Sequence, residues 1–125
     1  MSNVSKGRKV ENLAAEILRD EGYQVHQTIR SRWHNNDVFG CFDIVATDGN
    51  YLRFIQVTSD QYSTRKSKEL DAINLPNTCG DKVTKEFWVY RIEKKTGRRK
   101  FKIYLNADGK WYHARTLYFE IPKGD

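Results

Sequence analysis

The chain has 125 residues, a length that fits one domain spanning residues 1–125. Its 38 % apolar content, with three Trp, seven Tyr and six Phe, excludes wholesale disorder, and no low-complexity tract or internal repeat appears. Two cysteines, Cys41 and Cys79, exclude a disulfide framework and a cysteine-based metal site. The net charge of +6 points to a polyanionic partner.

Residues 5–21 read as an amphipathic helix. Val10, Leu13, Ala14, Ile17 and Leu18 recur at the spacing of one buried face, and Gly22 supplies the stop. Glu11 lies about 100° from Val10 and borders that face, either as an edge carboxylate aimed into a cleft or as a surface charge. Residues 23–29 alternate as a half-buried strand. The stretch from Arg30 to Asp37 reads as a loop carrying bases and Trp33. Residues 38–47 form a β-prone apolar run interrupted by Asp43, with Cys41 as a small hydrophobe. Asp48-Gly49-Asn50 is a turn, and residues 51–58 return as the partner strand of a hairpin.

A helix follows over 63–74, capped by Ser63 or Thr64 and ended by Pro76. Residues 85–92 form a further strand, and residues 101–105 and 110–116 form a terminal β-hairpin. This order predicts an α/β fold with one central mixed sheet flanked by helices. No leader or long apolar span is evident, so a cytoplasmic protein that avoids membranes is expected.

An acid inside an apolar strand needs a partner or a purpose, because an unpaired buried carboxylate is costly. Asp43 therefore marks either a site or a strand end hydrogen-bonded to a loop. Gln56 interrupts a second apolar run, and a hairpin turning at 48–50 sets it near Asp43. Glu11 would add a second carboxylate. Such an oxygen-rich set suits Mg²⁺ or Mn²⁺. Asp37 is either a further carboxylate near the site or a turn residue.

Glu11 in the first helix, Asp43 in the hairpin and the run Gln56-Val57-Thr58 resemble the PD-(D/E)XK, or restriction-endonuclease-like, nucleases. The segment from Gly7 to Glu11, with Gly22 to Val25, is similar to archaeal Holliday junction resolvases. Residues 37–46 with Ile55 to Ser59 are similar to small predicted nucleases of phages and mobile elements. The likeness covers about residues 5–75. It implies a restriction-endonuclease-like fold in which Glu11, Asp43, Gln56 and the Val57 carbonyl hold the metal. Two departures stand out. Gln56 replaces an acid, and Thr58 replaces the lysine that steadies the attacking water, so a cation from Lys66, Lys68 or Arg65 would have to substitute.

The expected activity is metal-dependent hydrolysis of DNA phosphodiester bonds, with branched or junction DNA as the substrate class by resemblance. Lys6, Arg8, Lys9, Arg30, Arg32 and Arg65 would hold the DNA backbone, and resolvase-like relatives imply a homodimer. A DNA-binding module of the same fold with weak or lost catalysis is the alternative, favoured by Gln56 and Thr58. A third reading is an interaction protein whose basic face meets an acidic partner. Each basic cluster, taken alone, is also an ordinary solvated surface.

Overall fold

The structure is a computed structural model. It describes residues 3–28, 38, 39, 41–59, 61–73, 75, 82–107 and 110–120, with side chains from residue 8 onward. The expectations placed on Arg30, Arg32, Trp33, Asp37, Pro76 and Cys79, and on the side chain of Lys6, lie outside the described residues.

Helix α1 (Asn3–Asp20) buries Val10, Ala14, Ala15 and Leu18. It ends in a Schellman turn: Tyr23 N–H donates to Leu18 O, Gly22 N–H donates to Arg19 O, and Gly22 takes φ +98°. A side chain at Gly22 would strain that backbone. Strands β1 (Gln24–Gln27), β2 (Ile44–Thr47) and β3 (Leu52–Thr58) follow as an antiparallel meander. At the β2–β3 turn, Asp48 accepts the N–H groups of Asn50 and Tyr51 at 2.9 and 2.8 Å.

Helix α2 (Thr64–Asp71) crosses over to β4 (Val83–Ile92), which pairs parallel with β3. Ser63 is its cap and accepts Lys66 N–H. The helix stops at Asp71, short of the expected 74, and Ile73 and Leu75 turn into the core. Strands β5 (Arg99–Ala107) and β6 (Lys110–Phe119) complete a six-stranded sheet in the order β1-β2-β3-β4-β5-β6. One parallel pair among antiparallel ones makes the sheet mixed, as expected, and the architecture agrees with a restriction-endonuclease-like α/β fold.

The two helices cover opposite faces of the sheet, because the strand period of two sorts the side chains. On the α1 face lie Ile44, Ala46, Ile55, Val57, Trp88, Tyr90, Phe101 and Ile103. On the α2 face Phe54, Phe87 and Val89 pack with Phe42 and Leu70.

The apolar run over 38–47 is not one strand. Val38 and Phe42 bridge each other in a tight loop, and Phe39 takes φ +54°, a left-handed conformation that costs about 1–2 kcal/mol for a side-chain-bearing residue. The fold-back lets Phe42 join the α2-side core, where it packs its ring 5.6 Å from Phe54. Cys41 is half-buried at that turn rather than deep in the core.

Candidate metal and phosphate site

Asp43 stands where β2 leaves its ladder. Its N–H donates to Ile55 O at 2.9 Å, and its carboxylate Oδ2 accepts Val57 N–H at 2.9 Å. Asp43 thus spans both peptides that flank Gln56. The acid is wholly buried, at 0 % exposure. This is the proximity of Asp43 to residues 55–57 that the hairpin pattern predicts.

Gln56 is 7 % exposed and projects on the α2 face, like Phe54 two residues before it. Its Nε2 donates to Val57 O at 3.1 Å. Its Oε1 is buried with no hydrogen-bond partner among the described residues. The opposite amide orientation would set oxygen against the Val57 carbonyl, so this one is electrostatically required. An orphan acceptor oxygen beside a buried carboxylate is the kind of vacancy in hydrogen bonding that a cation satisfies.

Glu11 lies deeper than its expected place at the border of the buried face. It is 4 % exposed, one turn before Ala15 and two before Leu18, on the helix face packed against β1, β2 and β3. Thr58 is half-buried at the C-terminal end of β3. Among the described residues no three His, Cys, Asp or Glu side chains form a group able to hold a metal ion. The Val57 carbonyl, expected as a metal ligand, is engaged by Gln56 Nε2.

The expected replacement cations are scattered. Arg65 is 90 % exposed in its side chain and lies 3.6 Å from Glu69. Lys66 lies 3.4 Å from the same carboxylate, and Lys68 is exposed. Among the described residues none of the three reaches Asp43, Gln56 or Val57 in a hydrogen bond or ion pair. Arg8 and Lys9 are exposed on α1.

Sequence reasoning missed three charged residues on the central strands. Arg53 and Glu86 form a buried bidentate pair, Nε to Oε2 at 2.6 Å and Nη2 to Oε1 at 2.8 Å. Thr84 Oγ1 and Trp88 Nε1 also donate to Glu86. Burial works against the charge of Arg53, but the hydrogen bonds and charge of Glu86 outweigh it, and the guanidinium is held protonated more firmly than usual. This network floors a cavity of about 380 Å³ bordered by Tyr23, Tyr51 and Arg115. With four donors on its carboxylate, Glu86 is a structural anchor. The third residue is Arg91 on β4, whose Nη1 donates to Ser59 O at 3.0 Å. Arg53 and Arg91 interrupt apolar runs in their strands, the same signal that singled out Asp43, whereas Glu86 follows the polar Thr84-Lys85 and gives no such signal.

No described helix is long and apolar enough to cross a membrane. No family model matches the chain. The chain is similar to a UPF0102 protein of Chlorobium chlorochromatii (strain CaD3), with 34 % identity over 74 residues. The match covers 59 % of this chain and 53 % of the relative, so the chain spans about half the length of the curated protein it resembles.

Proposed function

We propose that this protein is a nuclease that hydrolyses DNA phosphodiester bonds with a divalent metal ion, and that Asp43 and Gln56 hold the ion, while Glu11 lies on the α1 face, across the sheet from Gln56. The observation that carries this reading is Gln56 Oε1, buried and without a hydrogen-bond partner among the described residues, on a residue whose two flanking peptides both bond the buried Asp43. Its support is the fit of an all-oxygen donor set to Mg²⁺ or Mn²⁺. Such an ion, when bound, stabilises charge on the phosphate and makes water a better nucleophile.

The protein's own groups supply the rest. Asp43 Oδ2 is fixed in place by Val57 N–H, so the carboxylate is oriented before any ligand arrives. Gln56 Oε1 is positioned through the bond of its Nε2 to Val57 O. The Val57 carbonyl keeps a second lone pair beside that bond, so it can face an ion while still accepting Gln56 Nε2. A neutral amide in place of an acid weakens metal affinity, so the ion is expected to bind loosely. The net charge of +6 supports a DNA partner through salt-sensitive phosphate contacts. Branched or junction DNA, and action as a homodimer, belong to the same proposal by resemblance.

The test is cleavage of linear, single-stranded, flapped and four-way DNA with Mn²⁺ or Mg²⁺, using wild-type protein and Asp43→Asn. Metal-dependent cleavage that disappears in the variant, with DNA binding retained, supports the reading. Salt-sensitive DNA binding without cleavage by either protein establishes instead the binding module of the same fold, which Gln56 and Thr58 favour. DNA affinity that stays flat between low and physiological salt removes DNA as the partner.

A further inference from the structure

The α2 face of the sheet carries two buried polar atoms with no hydrogen-bond partner among the described residues: the acceptor Gln56 Oε1 and the charged donor Arg91 Nη2. Their placement follows from the strand register. Gln56 pairs with Phe87 and Thr58 with Val89 across parallel strands. Arg91 is the next residue after Val89 to point to that face. It therefore lies roughly 7 Å along the strands and about 5 Å across from Thr58. Nη1 is tied to Ser59 O at 3.0 Å and Tyr90 O at 3.2 Å, which holds the guanidinium against the chain as it leaves β3.

In open α/β sheets the C-terminal ends of parallel strands are where ligands bind. Here that edge presents a desolvated guanidinium N–H with no acceptor among the described residues. A buried donor of this kind calls for an anion, and an arginine fork suits phosphate oxygens. Strand β5 adds a further cation to this face: Lys102 pairs with Val89, while Lys100, which pairs with Arg91, has its Nζ 3.8 Å from Glu93. Thr58 occupies the position where the nuclease resemblance places a lysine.

We propose that Arg91 is the phosphate-binding cation of this site, with Nη2 donating to a non-bridging phosphate oxygen of DNA and replacing the lysine absent at Thr58. This rests on the nuclease reading for the identity of the substrate, but an oxyanion site at Arg91 can be tested apart from it. Arg65 and Lys66 are poorer candidates, since Glu69 lies close to both.

The first experiment follows the Arg91 Nε–Hε resonance of the full chain during titration with inorganic phosphate, assigned by its loss in Arg91→Lys. A saturable shift at Arg91, larger than at exposed Arg65, is expected. Shifts confined to exposed arginines overturn the proposal, and the titration itself is read on the wild-type chain. The second compares wild type, Arg91→Gln and Arg91→Lys in melting temperature, duplex affinity with Ca²⁺ and single-turnover cleavage with Mn²⁺. At equal folded fraction, Arg91→Gln should lose about 100-fold in cleavage. Its DNA affinity should change far less, and Arg91→Lys should recover part of the rate. Cleavage by Arg91→Gln within about threefold of wild type overturns the role of Arg91 and leaves the nuclease reading intact. If wild type cleaves no DNA, the nuclease reading fails and the phosphate titration alone decides whether Arg91 binds an oxyanion.

Discussion

Asp43 Oδ2 accepts the backbone N–H of Val57 at 2.9 Å, so one carboxylate both closes the β2–β3 ladder and stands at the candidate metal site. Removing it has two separable consequences. Asp43→Ala leaves a buried N–H without its acceptor and should cost about 1–3 kcal/mol of stability. Asp43→Asn keeps an acceptor oxygen and should cost clearly less, while removing the charge a metal needs. Urea unfolding of both variants without metal checks this. Equal losses for Asn and Ala would show that charge, rather than the hydrogen bond, matters at Asp43 in the absence of metal.

Gln56→Glu places an acid at a position 7 % exposed, next to Val57, whose N–H bonds Asp43. Without metal, the added buried carboxylate should lower the melting temperature by repulsion and desolvation. Mn²⁺ should raise the melting temperature of this variant more than that of wild type, since ligand binding to the folded state stabilises it by mass action. A variant whose melting temperature ignores Mn²⁺ would argue against a metal at Gln56.

The Arg53–Glu86 pair should behave as a buried ion pair. Glu86→Gln leaves Arg53 charged with a poorer partner and should cost about 3–5 kcal/mol. Arg53→Met with Glu86→Leu should recover much of that loss, because a hydrophobic pair requires no desolvated charge. Thermal unfolding of the single and double variants measures the recovery. A double variant no more stable than Glu86→Gln would show that the pair determines the fold in this region.

At the β4–β5 turn, the Thr96 hydroxyl and then the Tyr118 hydroxyl hold the Glu93 carboxyl below its ordinary range, and the same bond to Glu93 raises the Tyr118 hydroxyl above its ordinary range. The signs differ. The Glu93 contribution is present above its unfolded value and is lost as pH falls through the depressed folded value. The Tyr118 contribution is complete below its unfolded value and is lost as pH rises through the raised one. NMR titration should show Thr96→Ala moving Glu93 upward more than Tyr118→Phe does, and the reverse order would contradict this ranking of causes.

Lys102 shares the α2 face with Arg91, whereas Lys94 sits in the exposed β4–β5 turn. If DNA lies along that face, Lys102→Glu should weaken duplex binding several-fold more than Lys94→Glu. It should also reduce the slope of log affinity against log salt by about one or more. Fluorescence anisotropy over a salt series separates the two, and equal effects would place the DNA elsewhere.

The element order, the mixed sheet and the pairing of Asp43 with residues 55–57 were legible in the sequence, because alternation, helical spacing and the Asp48-Gly49 turn are local signals. Local signals also narrowed the α2 cap to Ser63 or Thr64, and the structure makes it Ser63. Three features depended on the tertiary structure. The run over 38–47 folds back at Phe39 because Phe42 gains burial on the α2 face, an energy no local pattern contains. Glu11 is enclosed because α1 packs against three strands that the chain makes only later. Arg91 is 33 residues beyond Thr58 in the chain, yet the parallel β3–β4 pairing returns it to the same end and face of the sheet. The placement of Arg91 beside Thr58 is set by that long-range crossover, which no local pattern in the sequence contains.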